Sequence, residues 1–402
     1  MSEATRGSEH GHPSGASSSR ARDQALAGGA PILLVHRPYR GWRAVPRLLS
    51  NISQAVGQKV ALGTVSKLAM FSEDSHQEFH GKSRSARIQI VDPEAARSDP
   101  RGLRFPDTSP RQLTRAPYLA QGAAVSVPTV LEMQRRRAAN LLLTPGRALD
   151  ASDPQASLDR AFADGDEALT HLARDERLAL NLVMSADWLT RPRLHGALLA
   201  ELLDLDQFDV WYLKVQWSSS LRSHTQPTSE ELLRGYKRLA ELAADEGRTL
   251  LLPQTGLTGW LMLAFGASGF GTGPGGGEQA FREESGGGGN GAPPIERYFE
   301  AALLHTVERT SRPVIITDPT YVQCTCPYCP SLFTGTAWSH ELAGLHQVHS
   351  VAQLTAAVAP PVRGGTHGAV RRAVQHAQRF AQNKPLTGIS EPRHLPVWGR
   401  VL

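Results

Sequence analysis

From Gly122 onward, short continuous apolar segments alternate with longer segments that have an amphipathic pattern. The short runs are typical of buried β-strands, and the spacing of apolar residues in the longer segments indicates helices. The predicted strands are 140–146, 178–188, 208–217 and 249–256, and the predicted helices are 158–176, 194–205, 229–247 and 259–268. Strands that are apolar on both faces and separated by helices are typical of a parallel sheet covered on both sides. The pattern therefore predicts an α/β fold.

Apolar segments on either side of this alternation add to the number of strands. About six to eight strand–helix units over about 250 residues fit a (β/α)8 TIM-like barrel better than an open doubly wound sheet, which is the alternative. Residues 70–119 are rich in Asp, Arg, Ser and Pro and, apart from one strand, predict mostly loops. The further predicted strands are 30–36, 59–65, 86–92 and 313–321, and a further predicted helix is 294–310.

Composition divides the chain into four parts. Residues 1–29 are rich in Ser, Gly, Arg and His and have no apolar segment of the secretory type, so they predict a disordered tail. Residues 30–119 predict strands and loops that belong to the barrel or are appended to it, and 120–323 predict the barrel body. Within that body, the Gly-rich residues 273–293 predict a flexible insertion, either a mobile lid or a tolerated low-complexity segment. Residues 324–402 predict a zinc-binding segment and C-terminal helices.

The charge and the apolar runs restrict the classes of partner. No apolar run reaches the roughly 18 residues that a membrane span needs, and without a secretory signal the chain is expected to be cytoplasmic. A formal net charge of +5 is modest for 402 residues. The arginines at 135–137 and 371–372 would suit phosphate groups, but solvated helix faces have the same composition. Charge alone therefore leaves a nucleic-acid partner open.

All three cysteines lie within the sequence CTCPYCP, residues 324–330. Thiolates at the spacing of Cys324, Cys326 and Cys329 can converge on one tetrahedral ion, since the two-residue gap forms a tight turn. A closed structural zinc site needs a fourth ligand. The alternative is a chance cluster that packs as small apolar side chains. The candidate fourth ligands, which share one predicted helix, are His340, His346 and His349.

Together with the barrel pattern, the cysteine motif resembles the tRNA-guanine transglycosylase family, including relatives that insert 7-deazaguanines into DNA. That family is a (β/α)8 barrel whose late insertion binds zinc through Cys-x-Cys-x-x-Cys and a downstream His. The resemblance covers about residues 120–380 and implies His346 as the fourth ligand, with His349 or His340 as alternatives because the spacing is short. It also implies that Gln216, in LKVQW, recognises a base.

One departure from the family concerns the catalytic carboxylate. LTGWLMLAFGASGFGTG, residues 257–273, resembles the stretch that leads to the family's catalytic aspartate, but Gly271 stands where the family has that residue. Base exchange needs a carboxylate that attacks the anomeric carbon and a second acid or base for the leaving purine. The predicted strand ends offer Asp92 and Asp187 as the preferred pair and Asp318 as a third candidate. Turn formation or helix capping would explain the same aspartates.

The Gly-rich loop offers a second kind of site. Backbone N–H groups in such a loop can hold a phosphate, although glycine also simply permits a tight turn. The candidate residues are Gly269, Gly271 and Gly273.

The expected function follows from these sites. The first expectation is a transglycosylase-like enzyme that acts on a purine or 7-deazapurine base in tRNA or DNA and contains a structural Zn2+. The alternative is a catalytically degenerate barrel that binds nucleic acid or a partner protein, and a homodimer is possible in either case. A third possibility is an unrelated barrel enzyme that uses the Gly-rich loop for phosphate.

Overall fold

The structure is a computed structural model that describes residues 15–105, 108–120, 123–218, 222–223, 226–283, 295–334, 337–382 and 384–402. Its strands are β1 Ile32–His36, β2 Ala61–Lys67, β3 Ile88–Asp92, β4 Leu142–Leu143, β5 Leu178–Ser185, β6 Val210–Gln216, β7 Arg222–Ser223, β8 Gln226–Pro227, β9 Thr249–Leu252, β10 Gly269–Thr272, β11 Arg297–Glu300 and β12 His305–Glu308.

Eight of these strands form one all-parallel sheet that nearly closes into a barrel. Their order is β3-β2-β1-β10-β9-β6-β5-β4. The two edge strands approach each other where the backbone N–H groups of Asn140 and Leu141 donate hydrogen bonds to the carbonyl oxygen of Gln89, at 2.9 and 3.2 Å. The prediction of a (β/α)8 barrel rather than an open sheet is therefore confirmed.

Helices surround the sheet and account for most of the remaining regular structure. The helices are α1 Gly15–Ala27, α2 Val45–Val56, α3 Glu73–Lys82, α4 Pro110–Arg115, α5 Val127–Arg136, α6 Pro154–Thr170, α7 Asp187–Thr190, α8 Pro192–Leu203, α9 Glu230–Asp245, α10 Leu257–Met262, α11 Gly276–Gln279, α12 Arg312–Ile316, α13 Cys329–Thr334, α14 His340–Val358, α15 Gly365–Gln382 and α16 His394–Val401. Among the described helices, none is long and apolar enough to cross a bilayer.

Most of the strands carry apolar residues on both faces because the barrel has two cores. Ile32 and Leu34 of β1 belong to the cluster inside the barrel, whereas Leu33 and Val35 belong to the cluster between the barrel and the helices. Side chains alternate between the two faces of a strand, so both sets are buried. This arrangement explains why the strands appear in the sequence as continuous apolar runs rather than as alternating ones.

Helix α1 closes the end of the barrel at which the strands begin. Ala25 packs with the interior cluster, and the guanidinium of Arg22 donates to the carbonyl oxygens of Asn140 and Asp175, at 2.6 and 2.9 Å. The predicted disordered tail is therefore wrong for residues 15–27, where the barrel end supplies a packing surface that the sequence does not reveal. The rest of that prediction lies outside the described residues.

Three further element predictions are wrong. Residues 294–310 contain the antiparallel hairpin β11–β12 instead of a helix, with Tyr298 paired to Val307, and 313–321 contain helix α12 instead of a strand. Helix α3 lies within the span predicted as loops. Short apolar runs fit strand and helix alike, so tertiary contacts decide between them. Pro313, in the first turn of α12, suits a helix start.

The last barrel strand and the last helices enclose a long insertion. The chain leaves β10, forms the hairpin β11–β12 and α13, and then enters α14, which packs against α2 and β11. Ser339 caps α14, since its hydroxyl accepts the backbone N–H of Leu342 at 3.2 Å. The insertion thus stands beside the barrel at the end where the strands finish. Residues 284–293 of the predicted Gly-rich insertion lie outside the described residues.

Candidate metal centre and barrel mouth

The structure groups Cys324, Cys326, Cys329 and His346 into one cluster whose sulfur and nitrogen atoms all lie within 4.8 Å of one another. The three ligands Cys326, Cys329 and His346 are buried, and Cys324 is partly exposed. This group could hold a metal ion. The cluster joins the turn before α13 to the middle of α14, so it ties the insertion to the helix that packs on the barrel.

The distances within the cluster fit a tetrahedral ion. Zinc bond lengths of about 2.3 Å to sulfur and about 2.0 Å to nitrogen place two sulfurs about 3.8 Å apart and a sulfur and a nitrogen about 3.6 Å apart. The sulfurs of Cys326 and Cys329 are 3.5 Å apart. Nδ1 of His346 lies 3.2, 3.4 and 3.8 Å from the sulfurs of Cys326, Cys329 and Cys324. The group therefore has the size of a closed four-ligand site.

Neighbouring groups hold the ligands in this orientation. Nε2 of His346 lies 2.7 Å from the carbonyl oxygen of Phe299 in β11, which directs Nδ1 toward the sulfurs. The backbone N–H of Cys326 donates to the sulfur of Cys324 at 3.4 Å. The hairpin predicted as a helix therefore supplies the carbonyl group that orients the histidine.

Of the three candidate histidines, only His346 lies in the cluster. His340 begins α14 and lines a cleft of about 570 Å³ on the barrel side of the insertion. His349 is buried, with its ring 6.1 Å from that of Tyr328. The ligand implied by the resemblance is thus the one that the fold places with the cysteines.

The cluster favours a thiolate even without an ion. Hydrogen bonds from the thiols of Cys326 and Cys329 lower the pKa of Cys324 far below the ordinary value of a thiol. Burial alone would lower the pKa of His346, but hydrogen bonds with Cys324 and Cys326 raise it to about 10. Since the thiolate is the form that binds metal, the cluster is suited to exchange protons for a cation.

A second polar cluster lies inside the barrel, near the end where the strands finish. Asp92 at the end of β3 is 1% exposed, and its Oδ2 accepts a hydrogen bond from the Lys214 ammonium at 2.7 Å. The hydroxyl of Tyr212 lies 3.5 Å from the same oxygen, and the backbone N–H of Glu94 donates to Oδ1 at 3.0 Å. Lys214 and Tyr212 belong to β6, so this ion pair spans the barrel interior. Of the three predicted aspartates, Asp92 alone lies there.

Glu94 extends this cluster toward the surface. Its carboxylate lies 3.4 Å from Lys67 Nζ and 3.4 Å from Arg97 Nε. Burial alone would raise the pKa of Glu94, but the charges of Lys67, Arg97 and Lys214 lower it to about 2. Glu94 also has a φ of 55°, a conformation that costs a residue other than glycine free energy. Such strain is found often at functional sites.

Apolar side chains cover the ion pair. Leu103 and Phe281 belong to one buried cluster, and the ring centre of Phe281 lies 5.0 Å from Lys214 Nζ. Gln216, at the end of β6, binds the adjacent segment through both ends of its amide, because it accepts from the backbone N–H of Arg104 at 3.0 Å and donates to the carbonyl oxygen of Arg104 at 2.9 Å. Gln216 therefore holds in place the segment that carries Leu103, which helps to cover the ion pair.

Gly271 has no room for a side chain. A Cβ at this position would lie 2.6 Å from Nε2 of His36 and 3.0 Å from the backbone nitrogen of Gln254. His36 is buried, and burial together with the charges of Lys67 and Lys214 keeps its pKa well below the ordinary value. A neutral histidine thus occupies the space that an aspartate at position 271 would need.

The remaining candidates lie apart from Asp92. Asp187 is 42% exposed, pairs with Arg191 at 2.9 Å and lines a cleft of about 530 Å³ with Gln216. Asp318 follows helix α12 rather than a strand and pairs with Lys384 at 2.6 Å. The prediction that Asp318 ends a barrel strand is therefore wrong. Gly269 packs against Ile32 inside the sheet, and Gly273 packs against Glu278.

Lys214, His36 and Glu94 are not among the site residues predicted from the sequence. Lys214 stands within an apolar run, FDVWYLKVQW, and a charged residue inside a predicted buried strand is a signal that could have identified it. His36 ends a predicted strand in the same way. Glu94 has no comparable signal, because it follows the Pro of a predicted turn.

No protein-family model matches the chain, and no curated protein matches it.

Proposed function

We propose that the chain is a transglycosylase-like enzyme that exchanges a purine or 7-deazapurine base in a nucleic acid and contains a structural zinc ion. The observation that carries the proposal is the Cys3His cluster. It is formed by the insertion that follows the last barrel strand, β10, together with helix α14. The resemblance to the tRNA-guanine transglycosylase family predicts a zinc ligand set of this composition in a late insertion of a (β/α)8 barrel.

The zinc ion would have a structural role. Cys324, Cys326, Cys329 and His346 would complete a tetrahedral site and leave no open position for a substrate. The ion would cross-link the turn before α13 to α14 and hold both against the hairpin. It would thereby fix the insertion beside the mouth of the barrel.

Asp92 is the carboxylate best placed for the chemistry. In base exchange, its carboxylate would attack C1′ of the ribose, the bond from C1′ to the base nitrogen would break, and the electron pair would leave with the base. A proton donor would then neutralise the departing base, and the incoming base would displace the carboxylate from C1′. Since Asp92 is 1% exposed, the segments that carry Leu103 and Phe281 have to move before a nucleotide reaches it.

A second candidate function has its own supporting observation. His36 occupies the space beside Gly271, and Asp92 is paired with Lys214, so the position matching the family's nucleophile has no free carboxylate. A catalytically degenerate barrel that binds nucleic acid or a partner protein would have these features.

Base exchange measured with a radiolabelled purine or 7-deazapurine, on tRNA and on DNA, tests the proposal. We expect Asp92→Asn to lower the rate by several orders of magnitude, because it removes the nucleophile. Asp318→Asn is the matched control, since Asp318 pairs with Lys384 outside the barrel, and we expect no change. Exchange that survives Asp92→Asn would contradict the assignment. Nucleic-acid binding without any exchange by the wild type would favour the degenerate barrel.

A further inference from the structure

A third cleft, of about 460 Å³, opens beside the ends of β1 and β2 at the mouth of the barrel. Its walls come from the segment after β1, the segment after β2 and helix α4. Three arginines, Arg37, Arg111 and Arg115, line the cleft, and no aspartate or glutamate does. Among the described residues, none of the three arginines forms an ion pair with a carboxylate. The side chains that line the cleft therefore carry a net positive charge.

Arg37 forms the buried floor of this cleft. It is 3% exposed, and its guanidinium lies 3.7 Å from the ring centre of Phe71 and 4.4 Å from that of Trp42. Its terminal nitrogens donate to the carbonyl oxygen and the hydroxyl of Ser75, at 3.1 and 2.7 Å. Its Nε has no hydrogen-bond partner within the described part of the chain.

A buried cation without an ion-pair partner is costly. Burial lowers the pKa of Arg37 to about 10, although the charge of Glu78 acts in the opposite direction. The rings of Phe71 and Trp42 offset part of that cost, since cations are attracted to aromatic faces. An anion in the cleft would offset more, because each terminal nitrogen of the guanidinium carries a second N–H beside the one bound to Ser75, and such groups match the oxygens of a phosphate.

An exposed aromatic ring stands at the edge of the same cleft. Tyr39 is 60% exposed and stacks on Phe71, with ring centres 6.3 Å apart and planes at 26°. Exposed rings beside cationic side chains are typical of sites that stack a nucleobase and bind its phosphate.

We propose that this cleft is a nucleotide phosphate site, in which Arg37, Arg111 and Arg115 bind the phosphate and Tyr39 stacks on a base. The phosphate belongs to a nucleic-acid strand or to a free nucleotide, which share this chemistry. The inference goes beyond the proposed function, because a phosphate site here depends neither on the metal nor on bond cleavage. Its failure and that of base exchange are therefore distinguishable.

Binding of a fluorescein-labelled single-stranded oligonucleotide of about 12 nucleotides, measured by anisotropy over a range of salt concentrations, tests the site. Arg111→Gln is the cleaner variant, because no residue of α4 is buried. Arg115 also donates to the carbonyl oxygen of Met70, so Arg115→Gln is accompanied by a measurement of its free energy of unfolding. Each should weaken binding and reduce the slope of log affinity against log salt by about 0.7, the value for one phosphate contact on a single strand. Tyr39→Ala should weaken binding at least about fivefold with the slope unchanged.

Arg174→Gln is the matched control. Arg174 is exposed in the turn before β5, at the opposite end of the barrel, and its replacement by Gln removes the same charge. Competition by adenosine monophosphate distinguishes the sources: displacement of the oligonucleotide indicates that one nucleotide is sufficient, and its absence indicates a strand. The proposal is overturned if Arg111→Gln and Arg115→Gln bind as Arg174→Gln does, or if neither the oligonucleotide nor the nucleotide binds.

Discussion

Asp92 and Lys214 form the ion pair around which the barrel mouth is built. Their charged atoms are 2.7 Å apart and their side chains are 1% and 3% exposed. Tyr212 and the backbone of Glu94 complete the hydrogen bonding of the carboxylate. A buried pair of this kind contributes less to stability than its short distance suggests, because both ions lose hydration. The pair is therefore not explained by stability alone, and it lies among the other buried polar side chains of the barrel mouth, His36, Glu94 and Tyr212.

Replacing one partner of this pair is predicted to be more damaging than replacing both. Lys214→Met leaves the carboxylate of Asp92 buried and unpaired, so we expect the free energy of unfolding to fall by about 3–5 kcal/mol. The double variant Asp92→Leu with Lys214→Met removes both charges and should recover more than half of that loss. Urea unfolding of the wild type, both single variants and the double variant measures the coupling. Equal losses in the single and double variants would contradict this description of the pair.

Residues that act locally were predictable, and residues that meet across the fold were not. The three cysteines follow from their spacing, which left His340, His346 and His349 open as the fourth ligand, and the resemblance implied His346, which the fold places with the cysteines. Lys214 lies 122 residues from Asp92 in the sequence, and the interior alternation of β6 decides that they meet. The space beside Gly271 is likewise taken by His36, a residue from the first strand. Only the closed barrel creates these contacts.

The hairpin β11–β12 and helix α14 form the support of the metal centre. The carbonyl group of Phe299 in β11 orients His346, and α14 carries that histidine while packing on α2. The apolar spacing of residues 294–310 predicted a helix where the structure has the hairpin. The strands are selected by packing against α14, a contact that the local sequence does not reveal. The metal centre, the hairpin and α14 are therefore expected to be ordered together.

Removal of the metal is predicted to release the insertion and leave the barrel folded. Without the ion, the segment 321–334 keeps only a few buried contacts, and we expect limited proteolysis to cleave it first. His346→Ala should reproduce the effect of a chelator. His349→Ala is the matched control, because His349 lies one turn further along α14 and outside the cluster. Equal protease resistance of the wild type with and without chelator would contradict the structural role of the metal.

The barrel has one weak seam, between β3 and β4. These edge strands are joined through Asn140, whose Oδ1 accepts the backbone N–H of Gln89 at 2.7 Å and whose Nδ2 donates to the carbonyl oxygen of Arg87 at 2.9 Å. Arg22 of α1 binds the carbonyl oxygen of the same asparagine. The side chain of Asn140, the backbone N–H groups of Asn140 and Leu141, and helix α1 therefore close the barrel. Seven of the eight sheet strands correspond to segments predicted as strands, but the eighth, β10, lies in residues predicted as a Gly-rich loop.

Asn140→Ala is predicted to open the seam. It removes two hydrogen bonds to backbone groups, so we expect a loss of about 2 kcal/mol in the free energy of unfolding. Hydrogen exchange should accelerate in Leu141, Leu142 and Leu143 more than in the strands on the opposite side of the barrel. Asn51→Ala is a control, since Asn51 donates to the hydroxyl of Tyr328 outside the sheet. Uniform acceleration in all strands would contradict a local seam.

The metal content of the purified protein tests the central claim most directly. Protein prepared in a reducing buffer without chelator should contain about one zinc ion per chain, because the four ligands form one closed site. Cys326→Ser and His346→Ala should lose the ion, whereas His340→Ala and His349→Ala should keep it. A wild-type protein without bound metal, or one that loses it in the His349 variant and keeps it in the His346 variant, would contradict the account.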